Sequence, residues 1–146
     1  MPIKKIKQLI EEAETSPSSL EEEVNAKDHF EIARLLHQLS VKGKTLVFNS
    51  LSSDLKRQEL LYETDLDSRL EIQNSLTTKY LAKLLGGMPE DEATDLLQEL
   101  NSDAQQEILD QMEITDAVII KDLITYKEET AGGLMAPKFN TVLENQ

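Results

Sequence analysis

The chain contains no cysteine and no tryptophan. Without cysteine there is no disulfide framework, no cysteine-ligated zinc, no thiol nucleophile and no iron–sulfur ligation, and a reducing cytosol is the compartment that suits it. Its aromatic rings, three Phe and three Tyr, are too few for base-stacking platforms or an aromatic-lined cofactor pocket. Long apolar runs are missing too. The longest is Ala117-Val118-Ile119-Ile120, against the ~20 residues that a membrane-spanning helix needs. The N-terminal MPIKKIKQLIEEAE turns acidic after a basic first turn, and it lacks the apolar stretch and small-residue cleavage site of an export signal. Basic charge is scarce: 15 Lys+Arg stand against 28 Asp+Glu, a net charge of −13. That excludes attachment to nucleic acid through phosphate contacts and points to cationic partners.

What is present suits one ordinary domain, with 146 residues, 39% of them hydrophobic and 29% charged. Hydrophobic spacing is helical. Ile32, Leu35, Leu36 and Leu39 recur at i, i+3, i+4, i+7, and Ala93, Leu96, Leu97 and Leu100 repeat the pattern. Beneath it lies a repeat in which Ser40, Ser52, Thr64, Thr77, Pro89, Asn101 and Glu113 follow one another at intervals of 12 or 13 residues. Most of these residue types cap or open helices, so the unit is one short helix and a tight turn. Ser18 with Glu21 and Asp28 with Glu31 add capping-box spacings, and Gly86-Gly87 ends one helix before Met88-Pro89 opens the next. A helix of about ten residues is marginal alone in water, so each unit must bury its stripe against its neighbours.

The expected fold is therefore all-α, a stack of short antiparallel helices with boundaries near residues 40, 52, 64, 77, 89, 101 and 113. Residues 1–27 form N-terminal helices around the Ser16–Ser19 turn, and residues 28–125 form the array. Residues 126–146 read as a junction, because the glycines and proline of Tyr126-Lys-Glu-Glu-Thr-Ala-Gly-Gly-Leu-Met-Ala-Pro interrupt helical periodicity. Strand-like alternation is confined to the tail after residue 136, in Lys138–Leu143. A lone strand is unstable, so the protein is expected to continue beyond Gln146.

Charge is concentrated in the second half, net −1 over residues 1–60 and −12 over 61–146. No Lys or Arg lies between Lys83 and Lys121, a stretch that holds Glu90, Asp91, Glu92, Asp95, Glu99, Asp103, Glu107, Asp110, Glu113 and Asp116. On a helical wheel Asp91, Asp95, Glu99 and Glu92 fall opposite the Ala93/Leu96/Leu97/Leu100 stripe. Two carboxylates at i, i+4 repel each other unless a cation offsets them, and a hard oxygen-ligated cation such as Mg²⁺ or Ca²⁺ suits them. The same pattern also fits a solvated face whose first-turn acids favour the helix N-terminus. Asp65-Leu-Asp67-Ser-Arg69 is no EF-hand, since Arg occupies a ligand position and the glycine is missing. His29 and His37 lack metal-ligand spacing. Nucleophile elbows and phosphate loops are absent from the sequence, so no catalytic constellation is read.

Asp91–Leu100, and above all Tyr126-Lys-Glu-Glu-Thr-Ala-Gly-Gly-Leu-Met-Ala-Pro-Lys-Phe, resemble the cytosolic N-terminal domain of the MgtE family of magnesium channels, in which such a segment joins the helical domain to a pair of CBS domains. The resemblance covers roughly residues 18–146. It implies a right-handed superhelix of short helices, CBS domains and a transmembrane pore in the same full-length protein, a homodimer, and a place on the cytoplasmic side of the bacterial inner membrane. It further implies a non-catalytic, Mg²⁺-sensing role, in which acids facing the CBS domains hold Mg²⁺ and keep the pore closed. Carried over by position, Asp91 and Asp95 match the family's paired acids, and Glu59 matches an acid two helices earlier. Arg57 stands close enough in sequence to neutralise Glu59. Two carboxylates supply too few ligands for Mg²⁺, so binding to this chain alone is expected to be weak. The competing reading is a helical-repeat scaffold, like those of flagellar motor switch proteins, whose acidic face takes a basic protein.

Overall fold

The computed structural model describes residues 2–13, 15 and 17–133. Among the described residues there are ten helices and no strand, so the fold is all-α. They are α1 (Pro2–Glu11), α2 (Pro17–Asn25), α3 (His29–Leu36), α4 (Val41–Ser50), α5 (Asp54–Glu63), α6 (Leu66–Ser75), α7 (Thr78–Gly86), α8 (Glu90–Gln98), α9 (Ser102–Gln111) and α10 (Ile114–Gly133). The strand-like tail after residue 136 lies outside the described residues.

Capping side chains set the periodicity. Asp28, Ser40, Ser53, Asp65, Thr77 and Asn101 each accept the N–H three residues on, at 2.9–3.2 Å. Each thereby satisfies one of the donors that a helix start leaves orphaned. The expected boundaries hold at 40, 77, 89, 101 and 113 and move by one residue at 52 and 64. The cap of α5 is Ser53, whose Oγ accepts the Lys56 N–H at 3.2 Å, while the Ser52 N–H goes to Asn25 Oδ1 at 2.9 Å. Thr64 instead ends α5, donating its N–H to Leu60 O at 3.0 Å, and the carboxylate of Asp65 caps α6. Between helices the chain turns on one inward residue: Leu39, Leu51, Thr64, Met88 and Met112 are all buried.

The chain divides into two compact units at the Leu84–Leu85 bond. In the first, helices pack chiefly on their next-but-one neighbours, α2 on α4, α3 on α5 and α4 on α6, while α1 touches α2 and α4. Its fully buried side chains include Leu20, Leu36, Phe48, Leu60, Leu61 and Ile72. In the second, α8 packs on α10, the same next-but-one relation. There Ala93, Leu96, Leu97 and Ile120 are buried, each large side chain contributing about 1.5–3 kcal/mol. The apolar face predicted for α8 is thus the one buried, and Asp91, Asp95 and Glu99 are exposed. Helical backbone does not stop at Tyr126. It runs on to Gly133, because Lys, Glu and Ala are good helix formers.

Helix C-termini in the array are closed by side chains from the next helix. Arg57 Nε donates to Phe48 O at 3.2 Å, and its Nη2 donates to Asn49 O at 3.0 Å and Leu51 O at 2.8 Å. Arg69 does the same for Leu61, Tyr62 and Thr64 at 2.9, 3.1 and 2.9 Å. Gln105 donates to Leu100 O at 2.8 Å. These carbonyls are the acceptors that a helix end leaves without an intrahelical partner.

Candidate functional site

Helix α8 opens on Pro89, which offers no side-chain cap bond, and its first turn carries Glu90, Asp91 and Glu92. These acids face the positive end of the helix dipole, a local reason for their presence that needs no ligand. Thr94 Oγ1 donates back to Glu90 O at 2.7 Å, and Ala93, Thr94, Leu96 and Leu97 are buried. Asp91 and Asp95 therefore stand one turn apart on the exposed side. Sequence suggested that nothing internal offsets this charge, and for Asp95 that is corrected. Lys127 of α10 donates from Nζ to Asp95 Oδ1 at 2.8 Å, with the two side chains 33% and 48% exposed. The lysine is 32 residues away, and no short-range pattern reveals it.

Asp91 lines an open cavity of about 720 Å³ together with Gly86, Gly87, Met88, Glu90 and Asp116. Asp116 packs against the end of α7: its Oδ2 lies 3.2 Å from where a Cβ on Gly86 would sit. Among the described residues no three His, Cys, Asp or Glu side chains converge on a position that could hold a metal ion. Asp91 and Asp95 can offer a cation two carboxylates, and octahedral Mg²⁺ must complete its shell with water or ligands from elsewhere.

Glu59 belongs to the other compact unit. It is exposed on α5, with Oε1 3.8 Å from His29 Nδ1. Arg57 does not neutralise it. The guanidinium turns to the carbonyls at the end of α4 and to Asp54 Oδ1 at 3.2 Å and the Tyr80 hydroxyl at 3.1 Å. Tyr80 in turn donates to Asp54 Oδ1 at 2.6 Å, and Lys83 Nζ lies 3.5 Å from Oδ2. The Tyr80 hydrogen bond, aided by the Lys83 and Arg57 charges, holds the Asp54 carboxyl below the usual range despite partial burial. Burial, then the bond to Asp54, pushes the Tyr80 phenol up. In the same unit His37 is exposed, on a polar hollow where buried Lys44 pairs with Glu71.

Compared with known families, residues 28–129 match the MgtE intracellular N domain. The match opens at the Asp28 cap and runs to within four residues of the end of α10. No curated protein matches the chain.

Proposed function

Since the chain belongs to the MgtE intracellular N domain family, we propose that it is the non-catalytic, magnesium-sensing regulatory part of a Mg²⁺ transporter or channel, joined in the full-length protein to CBS domains and a transmembrane pore and working as a homodimer. One observation carries the sensing role: Asp91 and Asp95 project together from the exposed side of α8, a helix with three acids in its first turn and no base in its last. Without Mg²⁺, Lys127 holds Asp95 and Asp91 is left to repel other acidic surfaces. With Mg²⁺, the two carboxylates and acids of the CBS domains share the ion, and the assembly with the pore closed gains the difference in binding energy between the two arrangements. Glu59, on the other unit, is assigned to a separate contact of the same kind.

The proposal is tested by thermal melts in MgCl₂ and NaCl at equal ionic strength, because general screening of the net charge of −13 also raises stability. At ten times the dissociation constant, linkage gives about 1.4 kcal/mol, a few degrees in Tm for a domain of this size. In the chain alone the constant is expected on the order of millimolar, two protein ligands being too few, and CBS domains should tighten it. If Mg²⁺ adds nothing beyond NaCl with the CBS domains present, or if Asp91→Asn/Asp95→Asn responds like wild type, the two residues do not sense magnesium. The Asp95–Lys127 pair favours a second reading, a scaffold whose acidic face takes a basic protein; a pulldown sensitive to salt and indifferent to Mg²⁺ would select it.

A further inference from the structure

We propose that α1 is a membrane-surface anchor, which leaves its seat on α2 and α4 to lie in the interface of an anionic lipid bilayer. Its sequence is PIKKIKQLIE. At 100° per residue, Ile3, Ile6, Leu9 and Ile10 fall within an arc of about 120°, and Lys4, Lys5 and Lys7 all fall outside it. In a chain of net charge −13, this one helix holds three of the 15 basic residues within four positions and a single acid, Glu11. A basic amphipathic helix binds a bilayer by burying its apolar face at the headgroup boundary while its bases are drawn to anionic lipid. Ten residues make about 15 Å of helix against a hydrocarbon core of about 30 Å, so α1 lies along the surface and does not cross.

The seat on the protein uses little of this surface. Of the four apolar side chains only Ile6 is buried, at 3% exposure; Ile3, Leu9 and Ile10 are half-buried, and Lys4, Lys5 and Lys7 are exposed. Lys5 Nζ lies 3.2 Å from Glu23 Oε1 with the lysine side chain 63% exposed. Glu23 has a second partner in its own helix's neighbourhood, Lys27 at 2.9 Å, and keeps it when α1 departs. Residues 12–16 separate α1 from α2, which gives the helix a tether. The family match begins at residue 28, so the array that defines the family starts after α1. A bilayer covers the three half-buried side chains more fully than α2 and α4 do, and it offers the lysines anionic partners where they now face water.

The two faces together select the partner. A nucleic acid or an acidic protein surface would engage the lysines and leave the apolar arc where it is, whereas an anionic bilayer interface takes both. The remainder of the chain, rich in acid, is held off such a surface, so attachment is through α1 alone. The inference goes beyond the magnesium reading and does not depend on it, because α1 carries none of Glu59, Asp91 and Asp95.

The experiment uses the 146-residue chain and vesicles of phosphatidylglycerol and phosphatidylcholine in equal parts, at fixed ionic strength and without divalent cations. The unmodified chain should sediment with these vesicles, and its affinity for pure phosphatidylcholine should be at least about tenfold weaker. A lysine near an anionic surface contributes about fivefold, so Lys4→Gln/Lys5→Gln/Lys7→Gln should lose at least about tenfold. Lys42→Gln/Lys79→Gln/Lys121→Gln removes equal charge at exposed residues of other helices and should change binding by less than about threefold. Because the chain has no tryptophan, Leu9→Trp places one fluorophore on the apolar face. Its emission should shift to the blue on the anionic vesicles and be quenched by lipids brominated on their acyl chains. Failure of the unmodified chain to sediment, equal losses in the two triple variants, or binding without quenching would overturn the proposal; the last result would mean adsorption by charge alone, as to an acidic protein. The Asp91→Asn/Asp95→Asn pair that tests magnesium sensing leaves α1 unchanged, so either idea can fail alone.

Discussion

Replacing Lys127 with glutamine should make this chain bind magnesium more tightly. The Lys127 ammonium lies 2.8 Å from Asp95 Oδ1, in a pair whose side chains are 33% and 48% exposed. Pairs of that exposure contribute about 0.2–1 kcal/mol. A Mg²⁺ ion that takes Asp95 displaces the ammonium and forfeits that energy. Removing the ammonium in advance therefore lowers the dissociation constant by a factor of about 1.4–5. Losing any positive charge also strengthens general attraction for cations, so Lys121→Gln is the reference: it removes the same charge from α10 at an exposed residue. Calorimetric titration with MgCl₂ at constant ionic strength should show the larger effect at Lys127. If the two variants shift the constant equally, or if Lys127→Gln weakens binding, Asp95 is not a ligand and the electrostatic account of α8 is wrong.

Other consequences concern stability. Arg69→Met removes the guanidinium of a residue only 8% exposed, together with its bonds to three carbonyls; it should cost about 3–5 kcal/mol in urea unfolding, and a loss below about 1 kcal/mol would mean those carbonyls are readily rehydrated. Leu97→Ala, at a fully buried position of α8, should cost about 2–5 kcal/mol, whereas exposed Gln98→Ala should stay within about 0.5 kcal/mol. Similar costs would turn α8 the other way round. Asp54, its carboxyl lowered by Tyr80 and the nearby cations, stabilises the fold in its charged form. That contribution is full above the ordinary aspartate value of about 3.9 and is lost as pH falls through the lowered one. The stability gap between wild type and Asp54→Asn should therefore hold steady near neutral pH and close below about pH 4, and Tyr80→Phe should narrow it. A gap unchanged down to about pH 2 would refute the assignment.

The sequence by itself determined the element list. Caps and helical periodicity act over three or four residues, so Ser40, Thr77, Asn101 and the Ala93/Leu96/Leu97 stripe announce their helices wherever those helices pack. Even the one-residue slips are local, Asp65 capping α6 in place of Thr64 and Ser53 capping α5 in place of its neighbour Ser52. The exposure of Asp91 and Asp95 follows from that stripe. Tertiary structure decided which residues meet. Next-but-one packing brings Lys127 across 32 residues to Asp95, and the turn between α4 and α5 sets Arg57 against the carbonyls at the end of α4 and away from Glu59. Long charged side chains reach several partners at similar cost, and burial decides among them: a helix end taken out of water must find donors for its carbonyls, and the nearest guanidinium is taken for that purpose before it can neutralise an exposed acid.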